Sequence, residues 1–438
     1  MVAPLKVGIA GLGTVGAEVV RLIETQARVL AGRSGRGIRV VAVTARSKAK
    51  KRGIDLRGVE WAKDPIALAT HPEVDCLVEL MGGAGDPALS AVEAALSAGK
   101  SVVTANKALL AKHGLKLAKV AEKHGGALNF EAAVGAAIPV IKTLREGLAG
   151  TGINRVYGIL NGTCNYILTR MEQEGLSFAE CLKDAQRLGY AEADPSFDVD
   201  GHDTAQKLAI LASLAFGTKV AQSAVYVEGI SSIAPEDLRA AADLGYRLKL
   251  LGVAVRTAKG IEQRVHPTMV PKSSSIAQVM GVTNAVTIDG EGIPPITLVG
   301  PGAGGAATAS AVVADIADVA RGIRANPFGR PISQLHDTKK APMERHEGGY
   351  YIRLLARDFP GTAAAIATRL AEQKISIESI VQRHPNGGAA PANGKAAPVP
   401  VILITYATHE DAVRRALAAV QKDKVISGRP QVIRIEKN

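Results

Sequence analysis

Along the chain, short apolar runs alternate with segments whose apolar residues recur at helical spacing, a pattern of strands followed by amphipathic helices. The first run, LKVGIA, predicts a buried strand, and AEVVRLIETQARVL after it predicts a helix. Further strands are predicted at IRVVAVTARS, VDCLVELMGG and KSVVTANK, with a helical PALSAVEAALSAG between the last two. Such alternation predicts a mainly parallel sheet with right-handed crossovers, whose ligands sit at the carboxyl ends of the strands. The middle third reads as GALNFEAAVGAAIPVI, with a helix from near Pro139, and as the strand, turn and helix of YGILNGTCNYILTRM. In HDTAQKLAILASLAF, helical spacing puts Asp203, Lys207, Ile210, Leu211 and Leu214 on one face. After NPFGRPISQLHDTKKAPMERHEGG the pattern changes to YYIRLLAR, PGTAAAIATRLAEQK, ISIESIVQR, VPVILITYAT, EDAVRRALAAVQK and QVIRIEK, a separate small module in βαββαβ order. HPNGGAAPANGKAAPVP interrupts it with too little apolar bulk to fold, as expected of a mobile loop.

The first turn carries the most specific local motif. GLGTVG stands between strand and helix, the context a dinucleotide fingerprint requires, although a Gly-rich βα turn is the plainer alternative. Gly11 permits the tight turn, Gly13 lets backbone approach a pyrophosphate, and Gly16 lets the helix pack close, with its N-terminus facing the anion. The second strand ends Ala45-Arg46-Ser47 rather than on an acid, and Lys48, Lys50, Lys51 and Arg52 follow. That cluster suits a 2′-phosphate, with Arg46 its first candidate, and favours NADP over NAD; the same cations could simply coat an exposed loop. Gly82-Gly83 and Asn106-Lys107 lie at the ends of later strands, on the edge of the expected cleft.

GYAEADPSFDVDGHDTAQK gathers five acids ahead of one lysine. Aligned on Gly201, the calcium-loop template finds Asp198 and Asp200 in place but Lys207 where a bidentate acid is required, so that reading fails. On a helix, Lys207 stands one turn after Asp203, where it could be desolvated for proton transfer. Spacing alone favours an ordinary i, i+4 ion pair. A buried Glu131 at a strand end needs a helix N-terminus or a cation as partner. Cys164 invites a thioester-forming nucleophile but has no neighbouring His, and packing is the simpler role.

Composition narrows the classes. A chain of 438 residues with 47% apolar content can build two or three cores. Aromatics at 3% argue against nucleic-acid stacking, and the net charge of +12 is spread along the chain, which suits anionic small molecules. Cys76, Cys164 and Cys181 form no disulfide framework or zinc ribbon, and no run is long enough to span a membrane, so a cytoplasmic protein without nucleic-acid or membrane partners is expected.

Taken together, GLGTVG, TANK, FEAAVGAAIP, NGTCNYIL, GYAEADPSFDVDGHDTAQKL and GPGAGGAATASAVVADI closely resemble homoserine dehydrogenases over essentially the whole chain. The resemblance implies an α/β fold: a Rossmann-type parallel sheet in 1–137 and 302–325, an α+β catalytic and dimerisation domain in 138–301, a linker, and a ferredoxin-like ACT domain in 349–438. It implies reversible, nicotinamide-dependent interconversion of L-homoserine and L-aspartate 4-semialdehyde, on the route to threonine, methionine and isoleucine. Lys207 matches the family's catalytic lysine, Asp203 its supporting acid, and Lys107 a second lysine facing cofactor and substrate. Glu192, Asp198, Gly162 and Thr163 match substrate-binding positions. Gly11, Gly13, Thr14, Val15, Gly16, Arg46, Gly82, Gly83 and Gly302 match the NADP (or NAD) site. Glu131, Val134, Ala136 and Ile138 match a monovalent-cation site, commonly sodium, where many members have Gly in place of Ala136. Threonine is the ligand implied for the ACT domain, in a homodimer or homotetramer. The competing readings are a semialdehyde dehydrogenase using Cys164 with phosphate or CoA, and a non-catalytic amino-acid sensor.

Overall fold

The computed structural model describes residues 2–343, 346–382 and 398–436. Six parallel strands form the first sheet: β1 (Leu5–Ala10), β2 (Ile38–Thr44), β3 (Glu60–Trp61), β4 (Cys76–Glu79), β5 (Ser101–Thr104) and β6 (Leu128–Asn129). Their order is β3-β2-β1-β4-β5-β6, so the chain reverses direction between β1 and β4, where a doubly wound sheet binds its ligand. Helices α1 (Thr14–Thr25), α2 (Ala27–Ser34), α3 (Pro65–Thr70), α4 (Ala88–Ser97) and α5 (Lys107–His124) lie between these strands in the chain. The first of them is not the single helix its spacing predicts. It breaks at Gln26, because α1 buries a continuous apolar face whereas α2 buries only Ser34.

Beyond the short α6 (Val140–Lys142) the chain enters a second sheet of eleven strands. These are β7 (Ile153–Ile159), β8 (Tyr226–Val227), β9 (Tyr246–Thr257), β10 (Gly260–Pro271), β11 (Thr283–Gly290), β12 (Ile296–Pro301), β13 (Glu347–Ala356), β14 (Ile377–Gln382), β15 (Val399–Thr405), β16 (Thr408–His409) and β17 (Ile426–Ile435). The path runs β12-β11-β7-β9-β10-β17-β13-β15-β14, with β8 beside β10 and β16 beside β13. Helices α7 (Gly162–Glu174), α8 (Phe178–Arg187), α9 (Ser196–Val199), α10 (His202–Phe216) and α11 (Pro235–Asp243) come from the middle third. Ile167 and Leu168 of α7 and Leu208 and Leu211 of α10 join Val156, Leu250, Ala254 and Val286 in one core. Then α12 (Gly305–Ala320) returns to the first sheet, where Ala309, Val312 and Ile316 pack with Val7, Ile9, Val19 and Ile23.

The C-terminal unit, with α13 (Thr362–Glu372) and α14 (Glu410–Lys422), keeps its own core around Tyr350, Ile352, Leu354, Ile366 and Val413. It is nevertheless not separate, as its change of pattern suggested. β17 pairs in parallel with β10 at Thr268↔Arg434 and Met269↔Ile435, merging both into one sheet. Several charge contacts pin the seam, two of them at its centre. Arg353 holds Asp237 of α11 through 2.6 and 3.0 Å bonds, and the buried Arg434 reaches both Glu228 and Glu410 at 2.6 Å. Residues 383–397, most of the stretch expected to be a mobile loop, lie outside the described residues. Among the described residues no helix is long and apolar enough to cross a membrane. The three cysteines are buried and free.

Candidate active site

The first glycine turn is built to leave room for an anion. Gly11 has φ +103°, and a Cβ there would stand 2.6 Å from the Leu80 carbonyl oxygen. A Cβ at Gly16 would collide with the Gly11 carbonyl, whereas nothing lies within 4 Å of one at Gly13. No side chain caps α1, so the amides of its first turn, Thr14, Val15 and Gly16 among them, stay available to a pyrophosphate. The residues present therefore fit a dinucleotide. Gly305, opening α12, packs on the Thr14 side chain and brings the Gly302 turn to the same place.

The opposite wall comes from β4 and β5. Buried Glu79 accepts hydrogen bonds from the amides of Met81 and Gly82 and from the Thr104 hydroxyl. Asn106 donates to the Gly83 carbonyl at 2.7 Å while accepting from Leu109 N at 3.0 Å. It thus caps α5 and fixes the position of Lys107, the helix's first residue. Gly82 and Gly83 both have positive φ. Arg46 is exposed and makes no hydrogen bond or ion pair among the described residues. Arg52 of the same cluster instead donates to the Leu12 carbonyl at 2.9 Å and lies over Trp61, so it is the arginine that touches the glycine turn.

At the core of the site, one carboxylate holds two lysines. Asp203 Oδ1 is 3.1 Å from Lys107 Nζ, and Oδ2 is 2.9 Å from Lys207 Nζ. Burial pushes the Asp203 carboxyl up, but the charges of Lys207 and Lys107, with hydrogen bonds from Lys207 and Asn161, outweigh it and hold the group at about 2. Lys207 also donates to the Leu160 carbonyl at 2.7 Å. Two of its three N–H donors are thereby engaged, leaving one for a substrate oxygen. Asn161 caps α7 through Cys164 N at 2.8 Å, and its Nδ2 bridges Asp198 (2.8 Å) and Asp203 (3.0 Å). Asp198 is pushed upward by burial; the Asn161 bond opposes this and the Asp203 charge adds to it.

The remaining expected residues divide. The Thr163 hydroxyl donates to the Tyr190 carbonyl at 2.6 Å, and Gly162 presses on the Val282 carbonyl. Both border the cluster, but the Thr163 hydroxyl and the close backbone approach at Gly162 tie loops together. Glu192 is exposed, its carboxylate without a partner among the described residues, so it is not brought to the lysines. Cys164 is fully buried, its Sγ 3.2 Å from the Asp198 carbonyl, and burial together with neighbouring acids pushes its thiol well up. No reactive thiolate is available there.

Glu131 finds its partner in a helix N-terminus: its carboxylate accepts from Ile141 N (2.8 Å) and Lys142 N (2.9 Å). Burial raises its carboxyl. Val134, Ala136 and Ile138 are buried on the loop that follows, and Ala136 adopts φ +48°, a left-handed conformation that glycine takes more easily. Asn161 and Glu79 were not singled out in the sequence, and Arg52 was named only as the last member of the basic cluster led by Arg46. Of the two missed residues, Asn161 carried a local signal, as an N-cap residue ahead of a helix.

A doubly wound nucleotide sheet facing a lysine–carboxylate–lysine cluster defines a nicotinamide-dependent dehydrogenase. Residues 11–131 match the family described as the homoserine dehydrogenase NAD-binding domain, and residues 139–317 match homoserine dehydrogenase itself. The homoserine dehydrogenases of Pseudomonas aeruginosa and Neisseria gonorrhoeae are 44% and 42% identical, each over 99% of both chains. The crystal structure of a homoserine dehydrogenase from Thiobacillus denitrificans superposes with a TM-score of 0.92 at 42% identity, covering 99% of this chain and 98% of that one. A hyperthermophilic archaeal homoserine dehydrogenase in complex with NADPH aligns over 74% of this chain and 99% of its own, with a TM-score of 0.63 at 27% identity. The chain belongs to the homoserine dehydrogenase family.

Proposed function

We propose that Lys207 is the proton-transferring residue of homoserine oxidation, acting at the C4 hydroxyl of L-homoserine. The observation that carries this reading is the pair of ion contacts on Asp203, with Lys207 held by a carboxylate and a carbonyl and one N–H left over. The nicotinamide nucleotide, when bound, accepts the hydride from the same carbon or returns it. In the reducing direction Lys207 gives a proton to the aldehyde oxygen as hydride reaches carbon; in the oxidising direction it takes that proton back. Asp203 orients and balances the lysine. Lys107, with its side chain a third exposed, faces the cofactor and the substrate. Asp198, at the cluster, and Glu192, on the adjoining loop, are the acids for the substrate ammonium; Gly162 and Thr163 border that pocket.

NADP is the preferred cofactor in this reading, supported by Arg46, Lys48 and Arg52 beyond β2 and by the absence of an acid at the strand's end. A monovalent cation, commonly sodium in the family resembled, would be held by Glu131, Val134, Ala136 and Ile138, at Ala136 through its backbone carbonyl; the left-handed Ala136 supports a loop curled for that purpose. The division into 1–137 with 302–325, 138–301 and an ACT domain at 349–438 belongs to the same reading. Threonine regulation is supported by a cavity of about 740 Å³ between Asp200, Glu228 and Ser231 on one side and Arg414, Arg429 and Arg434 on the other. Exposed Val282 and Val299, near the free edge of β12, support self-association as a homodimer or homotetramer.

The test is homoserine-dependent reduction of NADP and of NAD by the purified full chain, with and without threonine, alongside Lys207→Ala. Turnover in the wild type and its loss in the variant are expected. Undiminished activity in the variant would refute the assignment of Lys207.

A further inference from the structure

In the second sheet, Arg264, Arg353 and Arg434 are each matched with acids. Two cations beyond β2 are gathered differently. Lys48 and Arg52 make no ion pair among the described residues, and both lie over the ring of Trp61. The Lys48 ammonium is 5.6 Å from the ring centroid and the Arg52 guanidinium 5.7 Å, within the range of cation–π attraction. Two like charges drawn to one ring repel each other, and no carboxylate offsets that repulsion.

The place suits an anion. Trp61 ends β3 and pairs with Val43, next to Thr44, the last residue of β2. It therefore stands at the strand end where a doubly wound sheet selects the ribose substituent of its dinucleotide. The ring is anchored on the core that holds Val7 and Val43. Arg52 is fixed by three carbonyls: Nε donates to Leu12 at 2.9 Å, and the two Nη groups donate to Lys50 at 2.6 Å and to Ser47. Of its five N–H donors, two are left for a ligand. Lys48 is exposed, and Trp61 is its one partner among the described residues. A lysine stem has many rotamers, so the ring is what keeps this ammonium beside Arg52.

We propose that Trp61 sets the cofactor preference by positioning Lys48, which with Arg52 receives the 2′-phosphate of NADP. This rests on the NADP reading above. A phosphate monoester brings about two negative charges and several acceptor oxygens, so it relieves the repulsion and fills the open donors. The 2′-hydroxyl of NAD brings no charge to do so. Trp61 takes no part in hydride or proton transfer; it is a positioning residue.

The test is equilibrium binding of adenosine 2′,5′-bisphosphate and of 5′-AMP, which differ only in the 2′-phosphate. Calorimetry serves every variant, since Trp61 is the chain's one tryptophan and its replacement removes the intrinsic fluorescence. The proteins are full-length: wild type, Lys48→Met, Trp61→Leu, Trp61→Phe, and Lys48→Met with Trp61→Leu. The wild type should prefer the bisphosphate at least about tenfold, and Lys48→Met should lower that preference about fivefold, the size of one exposed charge-assisted bond. Trp61→Leu should lower it by a similar factor, Trp61→Phe should regain most of it, and the double variant should lose no more than Lys48→Met alone. Affinity for 5′-AMP should stay within about twofold throughout, which a merely structural role for Trp61 would not produce. A wild-type preference in Lys48→Met or Trp61→Leu, equal losses for both nucleotides, or multiplied losses in the double variant would each overturn the proposal. Lys48 is exposed, so Lys48→Met decides the matter even if Trp61→Leu fails to fold. Equal binding of the two nucleotides by the wild type would instead sink the NADP reading itself.

Discussion

Two buried charge clusters in this protein are mirror images of one another. At the active site one anion, Asp203, sits between two cations, Lys107 and Lys207. At the C-terminal seam one cation, Arg434, sits between two anions, Glu228 and Glu410. The seam cluster is internally paired, although it also walls the cavity between the C-terminal unit and Asp200 and Ser231. Glu410 also holds Arg414, Glu228 also meets the Tyr226 hydroxyl, and the Arg434 side chain is 3% exposed. Burial works against the Arg434 charge, but its acids outweigh this and hold the guanidinium above its ordinary value. The Asp203 cluster is left open: Lys207 retains an unused donor, and Lys107 reaches only Asp203 among the described residues. The saturated pairs at the seam join two parts of the fold, while the lysine at Asp203 keeps a donor free for proton transfer.

Substitutions at the two centres should therefore separate activity from stability. Lys207→Ala should lower kcat about 1,000-fold, mid-range for a lost general acid–base, with a stability loss of about 1 kcal/mol, smaller than at the seam because Lys107 and Asn161 still bond Asp203. Steady-state kinetics with thermal unfolding checks both halves; a large stability loss would mean that the cluster is structural after all. Arg434→Met should do the reverse. Stranding two acids should cost about 3 kcal/mol in urea unfolding, while the folded fraction keeps kcat within about threefold.

Acid tests the Asp203 cluster by another route. Its folded carboxyl, at about 2, lies below the unfolded value, so the pair stabilises the fold above about pH 4 and loses this as pH falls toward 2. The contribution is on the order of 2 kcal/mol, and Asp203→Asn should flatten the stability profile in that window. A profile as steep as the wild type's would assign the acid sensitivity elsewhere. The smallest effect belongs to the nucleotide turn. Arg52→Ala should reduce NADP preference over NAD several-fold, and Arg46→Ala somewhat less, because only Arg52 is already anchored, at Leu12. Equal losses, measured as the ratio of kcat/KM values, would remove that distinction.

Much of the site was legible where a residue's role depends on its immediate neighbours. The glycine turn, the Asp203–Lys207 spacing and the rejection of calcium all follow from offsets within one element. Glu131 was legible as a buried acid in need of a partner, and a helix N-terminus proved to be one. The contacts that cross elements were not legible. Lys107 and Lys207 are a hundred positions apart and meet only because α5 and α10 bring them to one carboxylate. Asn284 lies in β11, with nothing local to mark its enclosed side-chain oxygen as unpaired. The change of pattern before β13 suggested a detached unit, whereas hydrogen bonding between β10 and β17 makes one sheet of the two.

By itself the sequence determined the periodicities, and so the elements, their alternation and the chemistry each can carry, because side-chain direction along a helix or strand follows from backbone geometry. Only the tertiary structure decided which charges are shared, which arginine meets the glycine turn and which buried amides stay unpaired. Those outcomes depend on angstrom-scale approach between segments distant in the chain, and a buried charge or amide takes its properties from whatever packing places beside it.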